Sequence, residues 1–345
     1  MKEEILVVRF GSLGDVMLTL PALSLLRDRS PEVRIVYLTK AVYAPLAAAF
    51  PMVDEVIALT PADCGFTGLI RLARRIRARR FASVYDLHGS ARSRFVTTAS
   101  GARERRRVAG RALARRWLVA RATARRLLDR PAPTAEASPP VAALAAARVV
   151  DPPLTAADLP APVLRFPAAA TVAAARWLAP LPHPRVALCP GARHATKRWP
   201  GFPALAGELI RRDAGVVVVL GPDDTWDGPA GLPIVRGPLV DLAALLAGCD
   251  LAIGNDSGLA HVAAAAGTPA VVLFGPTVPA LGFRPAGPHR VVERGDLGCR
   301  PCAVHGGPRC PRGDHACLVG IAPEEVRSAA DDLLAAIRPE RVDFR

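Results

Sequence analysis

Short apolar runs recur along this chain, each followed by a helical pattern, and the whole alternation occurs twice. In the first half the runs are Ile5 to Phe10, Ile35 to Leu38, Val53 to Leu59 and Ser83 to Leu87. In the second half they are Val186 to Cys189, Val216 to Leu220, Leu251 to Gly254 and Ala270 to Phe274. Runs this short and this continuous suit strands buried on both faces, and their alternation with helices predicts parallel sheets covered on both sides. The pattern therefore reads as α/β, with two Rossmann-like halves. A length of 345 residues fits two domains of ordinary size.

Between the halves, 131–184 is dense in proline and carries two short helical patterns, Val141 to Arg148 and Ala168 to Leu178. The domain boundary is expected late in this stretch, near Phe166 to Pro184. Other predicted helices are Val16 to Arg27, Gly201 to Arg212 opened by Pro200, Leu242 to Ala247, and Gly258 to Ala266 ended by Gly267 and Pro269. The opening sequence MKEEILVVRFGSLGD has acids where a secretory signal carries bases, and its apolar run is only about six residues long. No stretch reaches the roughly 20 apolar residues of a membrane span. A cytoplasmic location is expected, with the seven cysteines reduced.

In parallel sheets ligands gather beyond the carboxyl ends of the strands, so three loops matter most. Gly11-Ser12-Leu13-Gly14-Asp15 lacks both GxGxxG spacing and a P-loop lysine. Its Asp15 would meet a phosphate with a carboxylate, which suits a general base facing a neutral hydroxyl. A plain helix cap is the equal alternative. The loop Gly254-Asn255-Asp256-Ser257-Gly258, with His261 one turn on, offers either free helix amides for a diphosphate or only a cap and a partly buried histidine. The loop Pro190 to Trp199, with His194, Lys197 and Arg198, reads as a phosphate clamp or an ordinary surface loop. Asp223 and Asp224 follow a strand, where a carboxylate could hold ribose hydroxyls or simply make a turn.

These stretches, taken in order, resemble glycosyltransferase family 9, the bacterial lipopolysaccharide ADP-heptose heptosyltransferases. The residues carrying the likeness are VRFGSLGDVMLTLPAL (Val8 to Leu23), YDLHG with Arg92 and Ser93, and CPGARHATKRWP (Cys189 to Pro200). LGPDD (Leu220 to Asp224), GNDSGLAHVAAAAGTPAVVLFGPT (Gly254 to Thr277) and the late cysteine cluster complete it. The resemblance implies a GT-B fold, with two Rossmann-like domains facing each other across a cleft. Residues 1–170 would bind the acceptor. Residues 171–345, with a C-terminal helix, would bind the nucleotide sugar.

The resemblance also implies an inverting, metal-independent transfer of L-glycero-D-manno-heptose from ADP-heptose to the lipopolysaccharide inner core, without a cofactor. Asp15 would be the base, and Lys197 would neutralise the leaving diphosphate. Donor contacts would come from Arg193, Thr196, Asp224, Asp256, Ser257, Gly258, His261 and Thr277. Acceptor contacts would come from Ser12, Gly14, His88 and Arg92. Some members carry two hydroxyl residues shortly before the lysine, where this chain has Ala192 and Arg193. Other readings are a relative using another nucleotide sugar, a GT-B-like sugar-nucleotide epimerase, and a non-catalytic nucleic-acid-binding protein. A Rossmann dehydrogenase is disfavoured because no GxGxxG follows a strand.

Two further features stand apart. Residues 71–130 carry nineteen arginines against Asp86, Glu104 and Asp129, within a net charge of +14. This is either a solvated face or a surface for an anionic partner, a peripheral membrane contact or an anionic lipid-linked saccharide acceptor. Nucleic acid is not expected, since few aromatics interleave to stack bases. Cys299, Cys302, Cys310 and Cys317 form C-x2-C-x7-C-x6-C with His305 and His315 nearby, which suits structural zinc, free thiols or a redox pair.

Overall fold

The computed structural model describes residues 3–128 and 141–337. Contacts divide these into two compact units, one of residues 3–110 and 141–167, the other of 111–128 and 168–337. The arginine-rich stretch is thus shared between units, because residues 111–128 group with the second.

The first unit runs β1 (Glu4–Val8), α1 (Leu13–Met17), α2 (Leu20–Arg29), β2 (Arg34–Lys40), α3 (Ala44–Ala47), β3 (Glu55–Leu59), α4 (Phe66–Arg79), β4 (Ser83–Asp86), α5 (Ala91–Ala99) and β5 (Glu104–Arg107). Helix α6 (Ala112–Leu127) follows in the second unit, and α7 (Val141–Val150) returns to the first. Its sheet is wholly parallel in the order β3-β2-β1-β4-β5. Strand apolar residues such as Leu6, Val8, Val36, Leu38 and Val84 bury against Leu72 and Ile76 of α4.

Two expectations change here. The helix predicted over Val16 to Arg27 is two helices. A continuous one would set the Pro21 ring against the Met17 carbonyl. Instead the chain turns at Thr19, whose hydroxyl donates to the Val16 carbonyl at 2.7 Å and meets the Tyr37 hydroxyl at 2.9 Å. Strand β5, with sequence ERRR, was hidden in the charge run; it is an edge strand with all four residues exposed, so no apolar alternation marks it.

The second unit continues with α8 (Ala168–Leu178), β6 (Arg185–Cys189), α9 (Phe202–Arg211), β7 (Gly215–Val219), β8 (Ile234–Val235), α10 (Leu239–Ala247), β9 (Leu251–Asn255), α11 (Gly258–Ala265), β10 (Ala270–Phe274), β11 (His289–Glu293), α12 (Ala316–Val319) and α13 (Pro323–Ile337). Its parallel sheet has the order β11-β10-β9-β6-β7-β8. Strands β8 and β11 were not expected from the sequence. The first-turn proline of α9 is Pro203, not Pro200, which lies ahead of the Gly201 cap. Val186, Leu188, Ile253 and Leu273 build the core with Leu205 of α9 and Val326 of α13.

Each sheet reverses its direction of growth once. In the first unit the chain builds outward from β1 through β2 and β3, then returns to the other side of β1 with β4. In the second it builds from β6 through β7 and β8, then returns beside β6 with β9. At such a switch point the loops after adjacent strands diverge and leave a crevice at the carboxyl ends.

Candidate functional site

In the first unit the loops after β1 and β4 meet at the switch point. Gly11 sits at φ +151°, and a Cβ there would lie 2.8 Å from the Tyr43 ring, so the turn after β1 requires glycine. The turn delivers Asp15 to the first helical turn, where its Oδ2 accepts the Ser12 amide at 3.2 Å and the Ser12 hydroxyl at 3.0 Å. The Arg9 Nη2 pairs with the same Oδ2 at 2.7 Å. These contacts converge on one oxygen, and Oδ1 takes part in none of them.

Burial works to raise the Asp15 pKa, but Arg9 and the Ser12 hydrogen bonds outweigh it and hold the carboxyl below its ordinary value. Asp15 is therefore both a cap and a carboxylate kept ionised. Ser12 is exposed and Gly14 is buried in the same turn.

Arg9 also reaches across the crevice, donating from Nη1 to the Leu87 carbonyl at 2.6 Å. On that side the fully buried Asp86 organises the loop after β4. It accepts the amides of His88 and Gly89 at 3.0 and 2.9 Å and the Ser93 hydroxyl at 3.0 Å. His88 lies with its ring 4.9 Å from that of Phe10. Burial, aided by the Arg9 charge, pushes its pKa down to about 4, so the imidazole is neutral at physiological pH. Arg92 is exposed on the first turn of α5.

In the second unit the loops after β6, β9 and β10 converge. Lys197 pairs through Nζ with Asp256 Oδ2 at 2.7 Å, and the buried Thr277 hydroxyl donates to the same oxygen at 2.6 Å. Asn255 ties two loops together. Its Oδ1 accepts the Trp199 amide at 3.1 Å, and its Nδ2 donates to the Pro190 carbonyl at 2.7 Å. Thr196 is buried and shares its hydroxyl with the backbone of Gly307, at 2.7 Å to the carbonyl and 3.0 Å from the amide.

Asp224 accepts Arg198 at 3.2 Å and the Gly221 amide at 3.0 Å. A Cβ on Gly191 would fall 1.8 Å from its Oδ2, so glycine is required where this carboxylate comes in. Ser257 is the N-cap of α11 in extended conformation with no side-chain cap bond, and Gly258 begins the helix. His261 is buried in the second turn. Arg193 is exposed.

Sequence reasoning missed three residues. Arg9 and Asp86 lay inside quoted motifs, and a charged residue at the end of a buried apolar strand was the available signal. Arg300 had none. It is buried, donating from Nε to the Gly275 carbonyl at 2.5 Å and from Nη1 to the Arg294 carbonyl. Its Nη2 reaches the carbonyls of Phe274 and Thr277 at 2.8 and 2.9 Å and pairs with Glu293 at 2.6 Å. It thereby fixes the segment that carries Thr277 to Asp256.

The four late cysteines are free thiols, and burial raises the pKa of Cys302 to about 11 and of Cys317 to about 12. Among the described residues no group of three or more His, Cys, Asp or Glu could hold a metal ion. No described helix is long and apolar enough to cross a membrane.

The chain is similar to known proteins along most of its length. The family model for glycosyltransferase family 9 (heptosyltransferase) matches residues 69–309. A glycosyl transferase family 9 structure from Veillonella parvula superposes with a TM-score of 0.74 at 21% identity, covering 97% of this chain and 98% of that one. The E. coli ADP-heptose lps heptosyltransferase II gives 0.70 at 25% identity, covering 98% and 100%. Lipooligosaccharide heptosyltransferase 2 of Campylobacter jejuni is 36% identical over 93 residues, a match spanning 26% of this chain and 27% of that relative's length. The two parallel-sheet α/β domains are those of GT-B proteins of this family. The chain belongs to glycosyltransferase family 9 (heptosyltransferase).

Proposed function

We propose that this protein is an inverting, metal-independent heptosyltransferase that moves L-glycero-D-manno-heptose from ADP-heptose to the lipopolysaccharide inner core, onto Kdo-lipid A or a heptosyl-Kdo acceptor. The observation carrying this reading is the Lys197–Asp256–Thr277 cluster at the switch point of the second sheet, next to the start of α11, where the Ser257 side chain makes no cap bond. An ammonium beside open helix amides is a receptor for a departing diphosphate. The donor identity is supported by the similarity to the E. coli enzyme named for ADP-heptose.

Each unit has its own task. Asp15, with Oδ1 outside its structural contacts, accepts the proton of the acceptor hydroxyl, whose oxygen then attacks the anomeric carbon. The bond from that carbon to the diphosphate breaks, and the developing charge passes to Lys197 and the α11 amides. Asp256 and Thr277 hold the lysine in position, and Asp224 is suited to the ribose hydroxyls. Thr196 and Arg193 complete the donor loop, while His261 supports α11 from within. Ser12, Gly14, His88 and Arg92 line the acceptor side. The arginine-rich segment 71–130 meets the anionic lipid-linked acceptor and the membrane surface where the enzyme works.

The test is an incubation of the purified protein with ADP-heptose and Kdo-lipid A in the presence of EDTA. Acceptor mass increased by one heptose with inverted anomeric configuration is the expected result. Transfer only from another nucleotide sugar would overturn the donor assignment, and conversion of the donor without acceptor would make the protein an epimerase.

A further inference from the structure

Helix α6 is turned the wrong way for a surface helix in water. Two of its arginines, Arg115 and Arg125, face the protein. Arg115 stacks 4.2 Å over the Phe283 ring and donates from Nε to the Leu281 carbonyl at 2.9 Å, and Arg125 donates to the Arg300 carbonyl at 3.0 Å. Ala122, on the same side, is fully buried. The opposite side carries the large apolar groups: Leu113 is 80% exposed, Trp117 65% and Leu127 74%. Leu113, Trp117, Ala120, Ala124 and Leu127 follow helical spacing and share an arc of roughly 80°. Exposed Arg116 and Arg121 flank this stripe on its two sides.

We infer that the outer face of α6 inserts into the interfacial layer of an anionic lipid bilayer. A stripe of leucines around one tryptophan, edged by arginines, is the chemistry that lies in the plane between headgroups and acyl chains. Charge selects the occupant. Between Glu104 and Leu128 the chain carries nine arginines and no acid, so an acidic surface is complementary and a second copy of this face is repelled. The inference rests on the reading of a membrane-bound acceptor only for the membrane being present where the enzyme works. The contact itself is apolar insertion, which a purely electrostatic arginine surface does not require.

Vesicles of phosphatidylcholine, with and without phosphatidylglycerol and with acyl-brominated lipid, provide the probe. Quenching of tryptophan fluorescence by brominated lipid in the presence of phosphatidylglycerol is expected for the native protein and should vanish in Trp117→Phe, since Trp177, Trp199 and Trp226 lie outside α6. Leu113→Ser combined with Leu127→Ser leaves net charge unaltered and should weaken vesicle partition about tenfold. Transfer to a delipidated, water-soluble acceptor should be unchanged, which separates this effect from misfolding and from loss of the transferase itself. Quenching that persists in Trp117→Phe, or equal partition of the double variant, would overturn the inference while leaving charge-driven membrane binding intact. A native dimer that the double substitution splits would assign the face to a second copy and overturn it as well.

Discussion

The Arg9–Asp15 pair brings the sharpest consequence of a single side chain. The base role proposed for Asp15 requires an ionised carboxylate, and Arg9 keeps Asp15 below the ordinary aspartate value against the opposing pull of burial. Removing the guanidinium in Arg9→Gln leaves burial less opposed, so the pKa rises. The acid limb of the kcat/KM profile should then move to higher pH, with kcat little altered on the alkaline side. A limb that stays in place would remove Arg9 from the tuning of the base. The sign for stability runs the same way: a depressed carboxyl pKa contributes stability that is present above the unfolded value and lost as pH falls through the folded one. Asp15 and Lys197, the two residues singled out from the sequence as catalytic, lie in the loops after β1 and β6. Their surroundings were not equally legible. Arg9 acts across loops 78 residues apart, through the Leu87 carbonyl, and only the adjacency of β1 and β4 brings them together, whereas Asp86 is a buried carboxylate that organises its own loop.

Arg300 joins several elements at once. Its guanidinium spans the end of β10, the segment to Thr277 and Glu293 of β11, and breaking a buried, fully engaged charge of this kind costs about 3–5 kcal/mol because partners are left unpaired. Arg300→Met should therefore lower Tm by several degrees and, by freeing Thr277 from its fixed position beside Asp256, weaken ADP binding in the folded fraction. A native Tm with native ADP affinity would contradict the role of this clamp. At this scale the buried strands were readable almost to the residue, since continuous Val, Leu and Ile runs admit few other structures. Where elements escaped, the reason was local. Strand β5 is an exposed arginine edge and β8 is two residues long, so neither carries a hydrophobic period. The α1–α2 break follows from one proline inside an otherwise helical pattern.

Across the whole molecule, two sheets of the same construction each carry an ion pair at the switch point, Arg9–Asp15 after β1 and Lys197–Asp256 between the loops after β6 and β9. The same doubling was plain in the sequence as two βα series, whereas the grouping of residues 111–128 with the second unit followed only from the packing of α6. In the proposed reaction, acid–base chemistry and diphosphate binding belong to different units. ADP titrations of Asp15→Asn and Lys197→Met by calorimetry, alongside transfer rates for each, check this division of labour. Asp15→Asn should bind ADP as the native protein does while kcat falls about 10²–10⁴-fold, and Lys197→Met should lose about 10–100-fold in ADP affinity. ADP binding abolished by Asp15→Asn but untouched by Lys197→Met would contradict the claim.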